Sequence, residues 1–205
     1  MTDAAVRVVA AFDVDGTLTR RDCVVPFLRQ AAGTPRLGWS CARRPVRAAL
    51  AVARRDRDAL KALAAGALRG RSVDEIDALG RRFVDDHVRS WLRDDTVARC
   101  AWHLAQGHEV VLVSASLRPY LAPLAAHLGA STVLCCELEA AEGRYTGRLD
   151  GPNCRGPEKV RRLRAWLGDG PVELWAYGDS TGDRELLAAA DHPHLVKDIV
   201  LEPNP

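Results

Sequence analysis

Lysine is scarce in this chain. Lys61, Lys159 and Lys197 are the only three among 29 basic residues, so each is easy to weigh against the arginine background. No apolar run approaches the roughly 18 residues that a membrane span needs. The start, Met1-Thr2-Asp3-Ala4-Ala5-Val6-Arg7, lacks a basic region followed by an apolar core and a small-residue cleavage site, which argues against a secretory signal and for a cytoplasmic protein. The six cysteines show neither C-x-x-C pairs nor finger spacing, and several sit in apolar segments, so reduced core thiols are expected. The six histidines show no paired ligand spacing, and His192-Pro193-His194 reads as a turn. Trp39, Trp91, Trp102, Trp166 and Trp175 fall at helical or strand core positions, and most are read as packing. A formal charge of +2 gives no global pull toward nucleic acid, and no basic motif interleaved with aromatics is present. Repeats, low-complexity tracts and linkers are also missing.

What remains is a soluble globular composition, 47% hydrophobic and 27% charged. At 205 residues the length suits one cored domain plus an insertion. Residues 6–13 read as a central parallel strand, apolar on both faces, that ends in Asp13-Val14-Asp15-Gly16-Thr17. From Asp22 to about Arg93 apolar residues recur at helical intervals with no convincing strand between them. One helix suffices for a parallel crossover, so the surplus predicts a helical subdomain at 21–93, inserted into a core of 1–20 and 94–205.

Beyond the insertion the pattern alternates. Helices are expected at 96–106, 118–128, 158–167 and 184–190, strands at 108–113, 132–136, 172–177 and 194–196, and a β-hairpin flap at 137–149 turning at Glu142-Gly143. The predicted fold is α/β, a doubly wound, Rossmann-like parallel sheet of about five strands.

Ligands of such sheets sit at the carboxyl ends of the strands. There the first strand delivers Asp13 and Asp15, the second Ser114 with Ser116 as its competitor, and the strand at 172–177 delivers Gly178-Asp179-Ser180-Thr181-Gly182-Asp183, while Lys159 opens the preceding helix. Clustered acids repel one another unless a cation sits among them, and oxygen-only donors favour a hard ion such as Mg²⁺. Lys159 and Ser114 supply the positive charge and hydrogen bond that a phosphoryl group needs in transfer. One of the two leading acids can attack phosphorus while the other serves the leaving oxygen.

These four segments, in order and at fitting spacings, resemble the motifs of the haloacid dehalogenase superfamily across essentially the whole chain. The insertion after the first motif resembles the cap of the IB-type, phosphoserine-phosphatase-like subgroup. The resemblance implies a Mg²⁺-dependent phosphomonoesterase acting on a small phosphate ester. Asp13 would be the nucleophile that forms an aspartyl-phosphate, and Asp15 the acid and base. Ser114 and Lys159 would bind phosphate, with Gly16 and Thr17 beside them in the first motif. Asp13, the Asp15 backbone and Asp179 would hold the metal, with Asp183 behind them or as an alternative acid. Two positions depart from the phosphoserine phosphatases. Gly182 stands where they carry Asn, and Asp22 is the nearest acid where they carry a Glu that reads the substrate amine.

For the arginines at 36, 43, 44, 47, 54, 55 and 57 three readings stand side by side: a solvated helix face, residues such as Arg54 and Arg57 reading substrate together with Asp22, or peripheral contact with acidic lipid headgroups. The rival functions are a phosphotransferase to an alcohol, a phosphatase for a lipid headgroup phosphate, and a regulatory module with a vestigial site. No nucleic-acid partner is expected, and composition leaves the oligomeric state open.

Overall fold

The computed structural model describes residues 6–33, 35, 38–39, 42, 45–53, 57–196 and 200–202, with backbone alone at 47, 48, 52, 57 and 58. Its centre is β1 (Arg7–Phe12), whose last four residues are fully buried. Strands β2 (Glu109–Leu117), β3 (Thr132–Ala141), β4 (Arg144–Asp150), β5 (Val172–Gly178) and β6 (His192–Leu195) complete a six-stranded sheet in the order β4-β3-β2-β1-β5-β6. Five strands run parallel, as the sequence predicts, and β4 is an antiparallel edge. The chain leaves β1 toward β2 on one side and later returns to β5 on the other, which opens a crevice at their carboxyl ends.

The hairpin turns where expected. Glu142 and Gly143 take φ of 50° and 71°, the left-handed pair that a two-residue hairpin requires. From Glu137 to Asp150 the two strands pair with each other, as the predicted hairpin requires, and β3 carries it without a break from its parallel pairing with β2. The His192-Pro193-His194 segment is strand rather than turn. Its proline is tolerated because β6 is an edge, and His192 stacks on Trp175 with centroids 4.0 Å apart. Trp39 is a further correction, being 66% exposed. Cys23, Cys100, Cys135, Cys136 and Cys154 are buried thiols, as expected, while Cys41 lies outside the described residues.

Between β1 and β2 the chain first forms helices, α1 (Val24–Ala32), α2 (Pro45–Ala53), α3 (Arg57–Ala65) and α4 (Val73–Phe83), the last continued by a π-turn at Val84–Val88 and a final turn at Arg89–Trp91. The chain enters and leaves this insertion through one neck. There the Arg20 amide donates to the Trp91 carbonyl at 2.8 Å, the Arg93 amide donates to the Leu18 carbonyl at 2.9 Å, and Thr19 bridges Leu92. Beyond the neck come α5 (Asp94–Ala105), α6 (Arg118–Leu128), α7 (Pro157–Leu167) and the short α8 (Arg184–Ala188).

The inner half of the insertion is anchored on α6. Phe27, Phe83 and Tyr120 form a buried triangle with centroids 4.9–5.6 Å apart, a spacing at which aromatic pairs attract beyond their area burial. The helices approach closely because position 80 has no side chain: a Cβ there would lie 1.9 Å from the Pro119 carbonyl oxygen. An alanine inside a helix normally gains about 1 kcal/mol over glycine, but this clash is with backbone and belongs to the overpacking class that costs about 1–3 kcal/mol or more. Gly80→Ala is therefore predicted to lower stability by about 1–2 kcal/mol in urea unfolding.

Candidate active site

The end of β1 is fixed by the Asp13 amide, which donates to the Tyr177 carbonyl at 2.9 Å. The chain then curls so tightly that the Thr17 and Thr19 amides both donate to the Val14 carbonyl, at 3.2 and 2.9 Å. Gly16 has φ of 89°, and a Cβ on it would lie 2.3 Å from Asp179 Oδ2. Both the turn and the packing of the two acidic loops therefore require glycine. Thr17 is buried, and its hydroxyl donates to Asp13 Oδ2 at 3.3 Å.

Lys159 lies in the first turn of α7, one helical repeat from buried Leu163, and so projects inward. The start of α7 is tied to the loop after β5 by the Gly156 amide, which donates to the Gly182 carbonyl at 2.9 Å. Lys159 is 2% exposed, and its ammonium reaches Asp13 Oδ1 at 2.5 Å and Asp183 Oδ1 at 2.6 Å. The other oxygen of Asp183 accepts from the Ser180 amide and hydroxyl at 3.1 and 2.8 Å. Asp183 is thus both a capping acid of the turn at Thr181–Asp183 and the orienting partner of Lys159.

Burial works against the charge of Lys159, but Asp13 and Asp183 outweigh it and hold the ammonium above the ordinary lysine range. Burial also lifts the Asp13 carboxyl to about 7, with Lys159 opposing the rise and Asp183 adding to it. Asp179 is raised by burial and by Asp183.

Asp179 Oδ1 is buried with no hydrogen-bond partner. Asp13, Asp179 and Asp183 each bring one carboxylate oxygen within 4.8 Å of the others. An orphaned carboxylate oxygen in an oxygen-only cluster fits a hard divalent cation. Asp15 stands apart from this group. Its Oδ1 accepts from the Cys23 amide at 2.9 Å and its Oδ2 from the Ser116 hydroxyl. Burial raises its carboxyl and nearby Asp22 adds to the rise, while the bonds from Ser116 and Cys23 oppose it.

The two serines leave β2 through an irregularity. Register shifts between Val113, opposite Leu134, and Leu117, opposite Cys136, so residues 114–116 bulge out of the ladder at the crevice. Ser114 lines the crevice with Asp13 and Lys159, and its hydroxyl accepts from the Ser116 amide at 3.1 Å. Sequence reasoning left Ser116 as a competitor of Ser114; here the Ser114 hydroxyl accepts from the Ser116 amide, while the Ser116 hydroxyl donates to Asp15.

Asp13, Asp15, Gly16, Ser114, Lys159, Asp179 and Asp183 therefore line one cavity of about 670 Å³. Asp22 also lines it, and one of its carboxylate oxygens accepts from the Val24 and Val25 amides, at 2.9 and 3.3 Å, at the head of α1. Arg54 lies outside the described residues, as does the side chain of Arg57. Two cationic residues that sequence reasoning passed over line the wall. Lys61 of α3 donates to the Ala115 carbonyl and to Asn153 Oδ1, the latter at 3.0 Å, and so spans from the insertion to the bulge. Its signal was a rare lysine set among Leu60, Leu63 and Ala64. Arg155 fills the space that Gly182 leaves open, where a Cβ would lie 2.7 Å from its Nε.

Lys159→Met leaves Asp13 and Asp183 buried without their cation. Breaking a buried pair in this way costs about 3–5 kcal/mol. Urea unfolding in chelator at pH 8 is predicted to show a loss of that order. The loss shrinks at pH 5, where the stranded carboxyls take up protons.

Comparison with known proteins places the chain. The family model of the haloacid dehalogenase-like hydrolases matches residues 10–188. Protein CicA of Caulobacter vibrioides is 40% identical over 185 residues, which is 89% of this chain and 83% of CicA. Phosphoserine phosphatase SerB1 of Mycobacterium tuberculosis is 32% identical over 188 residues, 87% of this chain but 61% of that longer protein. A crystal structure of a protein of unknown function from Bordetella pertussis superposes with a TM-score of 0.70 at 28% identity, covering 90% of this chain and 87% of the other. With these matches and the convergent acidic loops, the chain belongs to the haloacid dehalogenase-like hydrolases.

Proposed function

We propose that the protein is a Mg²⁺-dependent phosphomonoesterase that works through an aspartyl-phosphate on Asp13, with residues 21–93 serving as the cap over its crevice. The observation that carries this reading is the different setting of two acids only two residues apart. Asp13 lies against a buried ammonium and an acidic cluster, whereas Asp15 is held separately on Ser116 and Cys23. The name phosphoserine phosphatase carried by a relative 32% identical supports the same class of substrate, a small phosphate monoester.

In this scheme Lys159 and Ser114 hold the phosphoryl oxygens, and Asp13 Oδ attacks phosphorus as the ester P–O bond breaks. Asp15, biased by burial toward its protonated form, gives its proton to the departing oxygen. In the second step Asp15 takes a proton from water, which attacks phosphorus and releases phosphate and the Asp13 carboxylate. Asp13, Asp179, Asp183 and the Asp15 backbone are the groups available to hold Mg²⁺, which supplies charge stabilisation for the transferred phosphoryl group. Apolar Val24, Leu28, Leu60 and Ala64 on the insertion side limit bulk water at the crevice.

Hydrolysis of p-nitrophenyl phosphate with Mg²⁺ tests the scheme. Asp13→Asn is expected to abolish it, Asp15→Asn to lower it by about 10²–10⁴, and chelation to remove it until Mg²⁺ is restored. Full turnover by Asp13→Asn rules the reading out. Lys61→Met releases the contact between α3 and the bulge. It is predicted to raise KM several-fold while the melting temperature moves by no more than about 2–4 °C, the shift expected for 1 kcal/mol in a protein of this size.

A further inference from the structure

Helix α2 is oriented opposite to an ordinary surface helix. Pro45, Val46, Ala49, Leu50 and Ala53 are exposed, with Val46 70% and Leu50 46% accessible, while Ala51 is buried at 3%. At about 100° per residue the five exposed positions fall within an arc of about 140°, and Ala51 lies opposite its centre. The helix contacts α3, buries Ala51 and turns a continuous apolar stripe outward.

The chain around this stripe is the most basic part of the protein. Of 29 basic and 27 acidic residues, seven arginines and a single acid, Asp56, fall between 36 and 57. That stretch carries +6, and the remainder of the chain carries −4. Arg44 directly precedes α2, Arg47 lies within it, and Arg54 and Arg55 directly follow.

We propose that α2 is a docking surface for an anionic lipid bilayer, lying in the headgroup plane with its apolar stripe inserted. An outward apolar stripe in a strongly cationic stretch is the composition of interfacial helices. Nine residues make a helix of about 13 Å, far too short to span, and no described helix is long and apolar enough to cross a membrane. The charge also separates this occupant from the others. A second copy docked about a two-fold axis would set the +6 stretch against itself. A nucleic acid would satisfy the arginines but leave Val46 and Leu50 in water.

The docking is read without turnover, so it stands or falls independently of the phosphatase assignment. The 205-residue protein is co-sedimented with phosphatidylcholine vesicles and with vesicles containing about 30% phosphatidylglycerol. Binding to the anionic vesicles alone, weakening as salt rises, is expected. Reversal of one charge in Arg44→Glu, just before the helix, is predicted to weaken partitioning about 25-fold, roughly fivefold per unit charge, and Leu50→Asp about tenfold or more. Both variants are expected to keep the wild-type melting temperature within about 2–4 °C, which separates lost docking from lost fold. The proposal is overturned by no binding to anionic vesicles, by equal binding to neutral ones, or by full binding of both variants. It is equally overturned if sedimentation shows self-association that Leu50→Asp abolishes, or if a single-stranded oligonucleotide binds where vesicles do not.

Discussion

The burial of like-charged carboxylates around one ammonium is the constraint on which the rest of this molecule depends. Asp13, Asp179 and Asp183 lie within one ion's reach of each other, and Lys159 is the buried cation that bonds two of them. Such a cluster is costly in a low-dielectric crevice, and much of the surrounding structure serves to hold it. Gly16 leaves room for Asp179, Gly156 ties α7 to the loop of Asp183, and Ser180 caps that loop. The site is therefore built by backbone as much as by side chains.

Asp15 illustrates how the same loop makes two chemically different acids. Successive odd positions after a strand emerge on one side, yet the curl at Val14 sends Asp15 toward the insertion, where Cys23 and Ser116 receive it. The insertion thereby contributes to the crevice itself, through the Cys23 amide at the head of α1 and the Lys61 ammonium of α3. Its inner half is fixed on α6 by the Phe27, Phe83 and Tyr120 triangle, and its ends meet at one neck.

Much of this was legible in the sequence because strand-end loops announce themselves. The apolar run into Asp13, the glycine-flanked acids at 178–183 and the rare Lys159 sit at positions fixed by strand and helix periodicity. The parallel strands and the Glu142-Gly143 turn follow from the same local rules. The misses are tertiary. Nothing local shows that one oxygen of Asp22 accepts from the Val24 and Val25 amides while the residue still lines the crevice. The roles of Ser116, Lys61 and Arg155 depend on a bulge, a helix placement and a vacancy at Gly182. His192-Pro193-His194 reads as a turn until β5 offers it an edge.

The central claim is that Asp13, held by Lys159, is the atom donor to phosphorus. Acid-quenching the Asp15→Asn enzyme with substrate and Mg²⁺, followed by peptide mass mapping, tests it most directly. The account predicts one phosphoryl group on the peptide containing Asp13. A phosphoryl group on any other peptide contradicts it, as does turnover without any covalent species.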